Sequence, residues 1–181
     1  VLFEKMDLKK DKFICSKGWV AASVYYFLAE KGIIPKDDLK RFCKEGEEVY
    51  IGLIEPTVKG VEAAGGAVGY GLSFGVGMAL AKKLKGEEGT VYILMSDGEQ
   101  QVGMIWESAL VAAKYGLDNL VAIVDYNKFQ ATGRTNEVLN IEPLVDKWRA
   151  FGWGISVCNK GNDPEEIDYA FSLVKKIKDG K

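Results

Sequence analysis

Two apolar, strand-like runs stand out in the hydrophobic pattern, and a stretch of helix length separates them. The first run covers residues 90–95 and is followed by Asp97, whereas the second covers residues 120–124 and is followed by Asn127. The apolar stretch between them covers residues 104–115. A strand, a crossover helix and a second strand form a βαβ unit, so we expect the two strands to be parallel neighbours.

Apolar residues at helical spacing predict further helices on both sides of this unit. We also expect a strand over residues 154–158 and a long loop without periodicity over residues 128–140. Together these elements predict an α/β fold with a mostly parallel sheet flanked by helices. The additional predicted helices cover residues 18–31, 35–42, 72–84, 141–151 and 163–177.

Composition narrows the class of protein without naming a function. The chain has 181 residues, of which 48% are hydrophobic and 28% are charged, as in ordinary globular domains. Its net charge of −2 and the lack of a basic run argue against a nucleic-acid partner. No apolar stretch is long enough to span a bilayer, so we expect no membrane association.

Three further features concern the cysteines, the absence of histidine and the ends of the chain. Cys15, Cys43 and Cys158 are odd in number and lack metal-ligand spacing, which predicts reduced thiols and a cytoplasmic protein. The chain contains no histidine, the commonest general base at neutral pH. Because it begins at Val1 rather than methionine, we expect one domain over residues 1–181 that is truncated at one or both ends.

The polar residues that follow the two strands form the candidate site. Asp97 and Asn127 are each ordinary turn residues when taken alone. At the carboxyl ends of adjacent parallel strands, however, they lie where open α/β sheets bind ligands. Their carboxylate and amide oxygens suit a hard cation such as Mg²⁺, which completes its shell with water and phosphate oxygens. Gly98 and the helix start that follows it favour the approach of phosphate, so the residues predict a diphosphate held by Mg²⁺.

A second glycine-rich segment, residues 65–71, precedes the helix predicted over residues 72–84. It has two interpretations, which the residues do not separate. It is either a loop that contacts a cofactor or a tight loop whose glycines allow close backbone packing. It lacks the preceding strand and the Lys-Ser/Thr pair of a P-loop.

Five segments together resemble the N-terminal, diphosphate-binding domain of transketolase, a thiamine diphosphate enzyme. The resemblance covers the chain from about Asp11 to Asp163 and is greatest to the split, two-subunit form. It implies the thiamine diphosphate-binding fold. The segments are SKGW at 16–19, GVEAAGGAVGYGLSFGVGMA at 60–79, SDGEQQVG at 96–103, LDNLVAIVDYNKFQATG at 117–133 and PLVDKWRAFGW at 143–153.

The resemblance also implies a cofactor and a set of ligands. Asp97, Asn127 and the backbone carbonyl of Phe129 would bind Mg²⁺, or Ca²⁺ in its place. Leu53 would lie at the position that contacts the substrate. The residues that would bind thiamine diphosphate are Trp19, Gly66, Ala67, Val68, Gly98, Glu99 and Asn127.

The chain departs from the family pattern at three positions. The family has histidines where Trp19 and Leu53 stand, and a glutamate of a carboxylate network across the subunit interface where Val102 stands. Leucine cannot donate a hydrogen bond to a sugar hydroxyl. We therefore expect a substrate other than the usual pair of sugar phosphates.

Transketolase chemistry transfers a two-carbon ketol unit from a ketose or ketose phosphate to an aldehyde. The resemblance implies that a partner supplies the activating glutamate, because no pyrimidine-binding domain is present here; a catalytic residue of this chain is therefore unknown. The expected partner is a C-terminal transketolase-like subunit in an α2β2 assembly. Two alternatives stay open: a component of a 2-oxo acid decarboxylase or dehydrogenase, and a non-catalytic homologue that acts as a structural partner.

Overall fold

Three parallel strands form the main sheet of the computed structural model, which describes residues 1–178. They are β1 (Lys12–Cys15), β2 (Val91–Ser96) and β3 (Leu120–Asp125), in the order β1-β2-β3. The strands β2 and β3 pair in parallel along their whole length. The prediction of parallel neighbours is therefore confirmed. The strand β1 was not expected, and it places β2 in the centre of the sheet.

Helices surround this sheet, and the predicted ones are present with shifted ends. Two short 3-10 helices cover Lys36–Arg41 and Gly98–Gln101, and a small antiparallel hairpin pairs β4 (Phe129–Gln130) with β5 (Gly133–Arg134). The α-helices are α1 (Leu2–Lys5), α2 (Ala21–Glu30), α3 (Tyr70–Lys85), α4 (Gly103–Lys114), α5 (Thr135–Val138), α6 (Leu144–Ala150) and α7 (Pro164–Lys178).

The central strand β2 separates two layers of core. Its residues Val91, Ile93 and Met95 are fully buried in the cluster that contains α3, α4 and α6. Leu94 faces the other way and packs against the cluster formed around Tyr25 of α2. This alternation is the two-residue period of a strand covered on both faces. The sheet therefore lies between helical layers, as the α/β class predicts.

Two of the expectations about local structure are wrong. Residues 154–158 do not form a strand: the Ser156 hydroxyl donates a hydrogen bond to the Ala170 carbonyl, and a Cβ at Gly154 would lie 2.3 Å from Ile177. This segment therefore packs on α7 instead of pairing with a strand. Residues 128–140 are not a structureless loop, because they form the β4–β5 hairpin and α5.

Two remaining expectations concern the ends of the chain and the membrane. The predicted domain extends to residue 181, and its last three residues lie outside those that the structure describes. Within residues 1–178, none of the helices combines the length and apolar character needed to cross a bilayer.

Candidate functional site

The carboxyl ends of all three parallel strands contribute polar side chains to one edge of the sheet. Lys17 follows β1, Asp97 follows β2, and Asn127 follows β3. The ends of β2 and β3 are joined by a backbone hydrogen bond of 3.2 Å from the Asp97 amide to the Asp125 carbonyl. The two residues predicted to bind a cation thus lie on adjacent strand ends.

Asp97 is completely buried and accepts three hydrogen bonds. Its Oδ1 accepts from the Gly98 amide at 2.7 Å. Its Oδ2 accepts from the Lys128 amide at 2.6 Å and from the Thr135 hydroxyl at 3.2 Å. One carboxylate therefore binds both the start and the end of the segment that carries the β4–β5 hairpin.

Asn127 is exposed, and both atoms of its amide group have partners. Its Oδ1 accepts a hydrogen bond of 2.9 Å from the Phe129 amide, and its Nδ2 donates to Oδ2 of Asp125 at 3.3 Å. The oxygens of Asp97 and Asn127 are thus bonded to successive backbone amides, those of Lys128 and Phe129. This arrangement places both predicted ligands at the same turn.

Close packing of the β4–β5 hairpin explains why residue 98 is glycine. A Cβ at Gly98 would lie 3.0 Å from Cβ of Gln130 and 3.2 Å from its Oε1. That Oε1 atom is buried and has no hydrogen-bond partner among the described residues. The small residue thus lets the hairpin pack directly over the start of the 3-10 helix.

The protein atoms that could coordinate the predicted cation are all oxygens. Among residues 1–178, no three histidine, cysteine, aspartate or glutamate side chains converge on a point where they could hold a metal ion. The predicted ligand set is different in kind, because it combines one carboxylate, one amide oxygen and the backbone carbonyl of Phe129. The arrangement of Asp97 and Asn127 fits a hard cation that takes most of its ligands from water and phosphate. The cation itself stays a prediction.

The glycine-rich segment lies beside this edge and packs closely against it. Gly66 has φ of +103°, and its amide donates a hydrogen bond of 2.9 Å to the Ser16 carbonyl. A Cβ on Gly18 or Gly66 would lie 3.0 or 2.8 Å from the Leu53 side chain. Both interpretations of the segment are thus compatible with its geometry, since it packs tightly and also borders the site.

Apolar side chains form the exposed border of this segment. Trp19 is 89% exposed, and Leu53 and Val68 are about half exposed. Ala67 is also exposed. These are the positions predicted to contact the cofactor and the substrate, and they present no charged group to a ligand.

Glu99 has the most unusual environment of the predicted cofactor-binding residues. It is fully buried, and neither carboxylate oxygen accepts a well-aligned hydrogen bond from residues 1–178. Burial raises the pKa of Glu99 to about 7, although the Ser16 hydroxyl, nearby backbone amides and the Lys17 ammonium lower it in part. A cofactor approaching from solvent would therefore not meet this carboxylate directly.

We expect this glutamate to make the stability of the cofactor-free protein depend on pH. Because the pKa of Glu99 rises from 4.5 to about 7 on folding, the folded state retains a proton that the unfolded state loses. The free energy of unfolding should therefore fall as pH rises through this window. Denaturant midpoints measured between about pH 5 and pH 8 test this, with a background free of histidine titration.

The control for this pH effect is a matched pair of variants. Glu99→Gln should flatten the pH dependence, whereas Glu107→Gln, at an exposed position of α4, should retain it. If Glu99→Gln keeps the dependence of the unchanged protein, the assignment to Glu99 is wrong.

Several residues of this edge were not among those predicted. Lys17, Asp125, Lys128, Gln130 and Thr135 all contact the predicted site residues or one another. Lys17 belongs to the SKGW segment. It lies in the site because β1 pairs with β2, and this strand order brings Lys17 to Asp125 at the end of β3. A prediction of β1 as a third parallel strand would have indicated it.

A comparison with models of protein families shows to which family this domain belongs. Residues 4–180 match the family model described as the transketolase, thiamine diphosphate binding domain. The chain belongs to the transketolase family. Its fold is therefore the thiamine diphosphate-binding fold of that family, as the resemblance implied.

Relatives with curated names include several that are named as transketolase subunits. The chain is 41% identical over 168 residues to an apulose-4-phosphate transketolase subunit of Phocaeicola vulgatus, covering 93% of this chain and 59% of that protein. It is 37% identical over 168 residues to a 6-deoxy-6-sulfo-D-fructose transketolase subunit of a Clostridium species, covering 93% of this chain and 61% of that protein. The chain thus spans about three fifths of these relatives.

Solved transketolase structures share the same architecture. The structure of Pichia stipitis transketolase with sedoheptulose 7-phosphate superposes with a TM-score of 0.88 at 30% identity, over 98% of this chain and 29% of that one. Campylobacter jejuni transketolase gives a TM-score of 0.85 at 31% identity, over 93% of this chain and 28% of that one. The chain therefore corresponds to just over a quarter of the length of these transketolase chains.

Proposed function

We propose that this chain is the diphosphate-binding part of a transketolase-type enzyme that transfers a two-carbon ketol unit from a ketose phosphate to an aldehyde. The observation that carries the proposal is the buried Asp97 carboxylate at the end of β2, bonded to the turn that carries Asn127. When bound, thiamine diphosphate supplies an electron sink for breaking a carbon–carbon bond. In this proposal Asp97, Asn127 and the Phe129 carbonyl hold Mg²⁺.

The other predicted residues have separate tasks. Gly98 and the amides around it lie against the diphosphate, and Glu99 supports this turn from its buried position behind it. Asn127 contacts both cation and diphosphate. The exposed border of Trp19, Gly66, Ala67 and Val68 contacts the remainder of the cofactor and keeps water away from it.

The proposal includes a partner polypeptide that completes the active site. Relatives whose names describe them as transketolase subunits support a divided enzyme. Large exposed apolar side chains on α3 and α4 also support it, because a partner subunit would remove them from water. We expect a C-terminal transketolase-like subunit with a pyrimidine-binding domain, an α2β2 assembly and a cytoplasmic location. These exposed apolar side chains are Tyr70, Phe74, Leu84, Leu110 and Val111, all of which are at least 40% exposed.

The proposed substrate is a sugar phosphate other than the usual transketolase pair. Leu53 packs over Gly18 and Gly66 with about half of its surface exposed, so it offers an apolar wall where hydroxyl groups would need a donor. The relatives named for apulose 4-phosphate and for 6-deoxy-6-sulfo-D-fructose are consistent with unusual sugars in this group.

The central test uses the full-length chain with its partner subunit. Calorimetry should detect binding of thiamine diphosphate with Mg²⁺ to the complex and much weaker binding to the chain alone. The complex should then transfer a ketol unit from a ketose phosphate to an aldehyde. A complex that binds no cofactor would refute the proposal and favour a structural homologue.

We expect Leu53→His to shift substrate preference toward ordinary sugar phosphates. A histidine would supply the missing donor, and an unpaired hydroxyl in a dry site costs about 1–3 kcal/mol. The kcat/KM for xylulose 5-phosphate with ribose 5-phosphate should therefore rise by roughly tenfold or more. Leu53→Met, which keeps the wall apolar, is the control. Efficient turnover of these substrates by the unchanged enzyme would show that Leu53 does not exclude them.

One alternative reaction is favoured by the same apolar border. Trp19 and Leu53 would suit a small donor with few hydroxyl groups, such as a 2-oxo acid. Release of CO₂ from pyruvate by the complex, without ketol transfer from any ketose phosphate, would support a decarboxylase or dehydrogenase component in place of a transketolase.

A further inference from the structure

A charged pair crosses the carboxyl edge of the sheet beside the predicted cation ligands. Lys17 lies two residues beyond the end of β1, and Asp125 is the last residue of β3. Because β2 lies between these strands, the ion pair from the Lys17 ammonium to Oδ2 of Asp125 passes over the end of β2. Lys17 is only 8% exposed, whereas the Asp125 side chain is 42% exposed, so the pair joins the buried floor of the site to its open edge.

The same Asp125 oxygen also contacts Asn127. Nδ2 of Asn127 lies 3.3 Å from Oδ2 of Asp125, and Oδ1 of Asn127 lies 2.9 Å from the Phe129 amide. An ionised carboxylate only accepts hydrogen bonds, so it selects the orientation of the amide that directs nitrogen toward Asp125. The amide oxygen is then directed toward the turn that Asp97 also binds.

We propose that Lys17 and Asp125 are positioning residues that fix the Asn127 amide so that its oxygen faces the cation. This inference rests on the proposed function, because it assigns a purpose to residues beside the predicted cofactor site. Partners behind a metal ligand commonly orient it, and their loss typically weakens metal affinity by about 10–100-fold.

Lys17 has a separate part in this arrangement. An unpaired Asp125 carboxylate would compete with Asn127 for the cation and would repel the diphosphate. Pairing with Lys17 cancels that charge while leaving Oδ2 available to the Asn127 amide. The ion pair also stabilises the Lys17 ammonium, because burying an unpaired charge is unfavourable.

Three variants of the complex separate the effect of the Lys17 and Asp125 charges from the effect of the orientation of the Asn127 amide. Lys17→Met keeps the orienting carboxylate but leaves it uncompensated, whereas Lys17→Met combined with Asp125→Asn removes both charges and leaves the Phe129 amide to orient Asn127 without the carboxylate. Lys17→Arg keeps both charges. The surface variant Lys10→Met, which breaks the exposed pair of Lys10 with Glu88, is the matched control.

The measurements are cation affinity, from the electron paramagnetic resonance signal of Mn²⁺, and thiamine diphosphate affinity from calorimetry. The double variant should bind Mn²⁺ about tenfold more weakly than the unchanged complex. Lys17→Met should bind Mn²⁺ alone at least as tightly as the unchanged complex, but bind thiamine diphosphate several-fold more weakly. Lys17→Arg should restore cofactor affinity to within about threefold, and Lys10→Met should change neither affinity.

Opposite responses of the two ligands to Lys17→Met are not expected from a merely structural role. The inference is overturned if the double variant retains the unchanged Mn²⁺ affinity, or if every Lys17 variant loses both affinities in parallel with its melting temperature. If either of these results is obtained while the unchanged complex binds Mn²⁺ and thiamine diphosphate, the proposed function stands and only the positioning role of Lys17 and Asp125 is refuted. An unchanged complex that binds neither ligand refutes both.

Discussion

Replacing Asp97 by asparagine is expected to weaken thiamine diphosphate binding in the presence of Mg²⁺ by about 100-fold. The substitution keeps the shape of the side chain but removes the negative charge that the proposed cation requires. Hydrogen bonds to a charged group contribute about 1.5–3 kcal/mol each, and about 1.4 kcal/mol is a factor of ten in affinity. Calorimetry on the complex with the proposed partner subunit measures this loss directly.

This substitution also affects the fold, because Asp97 accepts hydrogen bonds from Gly98, Lys128 and Thr135. An asparagine nitrogen in the place of one oxygen would face a donor, so a loss of stability of about 1–3 kcal/mol should accompany the loss of binding. Asp118→Asn, at an exposed position, is the control for a general effect of charge. Cofactor affinity that is unchanged in a folded Asp97→Asn complex would show that Asp97 is not a cation ligand.

The second large effect is expected at Gly71, in the first turn of α3. A Cβ there would lie 2.4 Å from Cβ of Ser16 and 3.0 Å from its Cα, so α3 would have to move away from the end of β1. Overpacking of this kind costs typically about 1–3 kcal/mol, partly offset by the higher helix propensity of alanine. Gly71→Ala should therefore lower the free energy of unfolding, as measured by denaturant titration of the single chain at low protein concentration, where self-association is avoided.

Gly77 provides the matched control within the same helix. A Cβ at Gly77 would have nothing within 4 Å. Alanine there should stabilise the chain by up to about 1 kcal/mol, because glycine is unfavourable in a helix interior. If Gly71→Ala and Gly77→Ala shift the unfolding midpoint in the same direction, the close packing of α3 on β1 is not what requires glycine at residue 71.

The centre of the fold could be predicted from the sequence because several local signals agree there. The strands β2 and β3 are continuous apolar runs, as expected for strands covered on both faces, and α4 has the length of a crossover helix. Handedness and connection rules then place Asp97 and Asn127 on adjacent strand ends. The structure has this topology and brings both residues to one turn.

What could not be predicted depends on contacts between distant segments. The strand β1 is only four residues long, and two of these are Lys12 and Cys15, so its period is too short to recognise. The segment over residues 154–158 has the composition of a strand, but contacts with α7 determine its conformation. Lys17 could not be assigned to the site without β1, because only the order of the strands brings it to Asp125.

The exposed apolar side chains of α3 and α4 affect the solubility of the chain and therefore the amount in which a cell can synthesise it. Large hydrophobic groups that remain in contact with water favour self-association and precipitation. We expect a chain of this kind, synthesised in excess over the proposed partner, to self-associate at high concentration. Balanced production of the two polypeptides, for example from neighbouring reading frames, would protect this surface as soon as it forms.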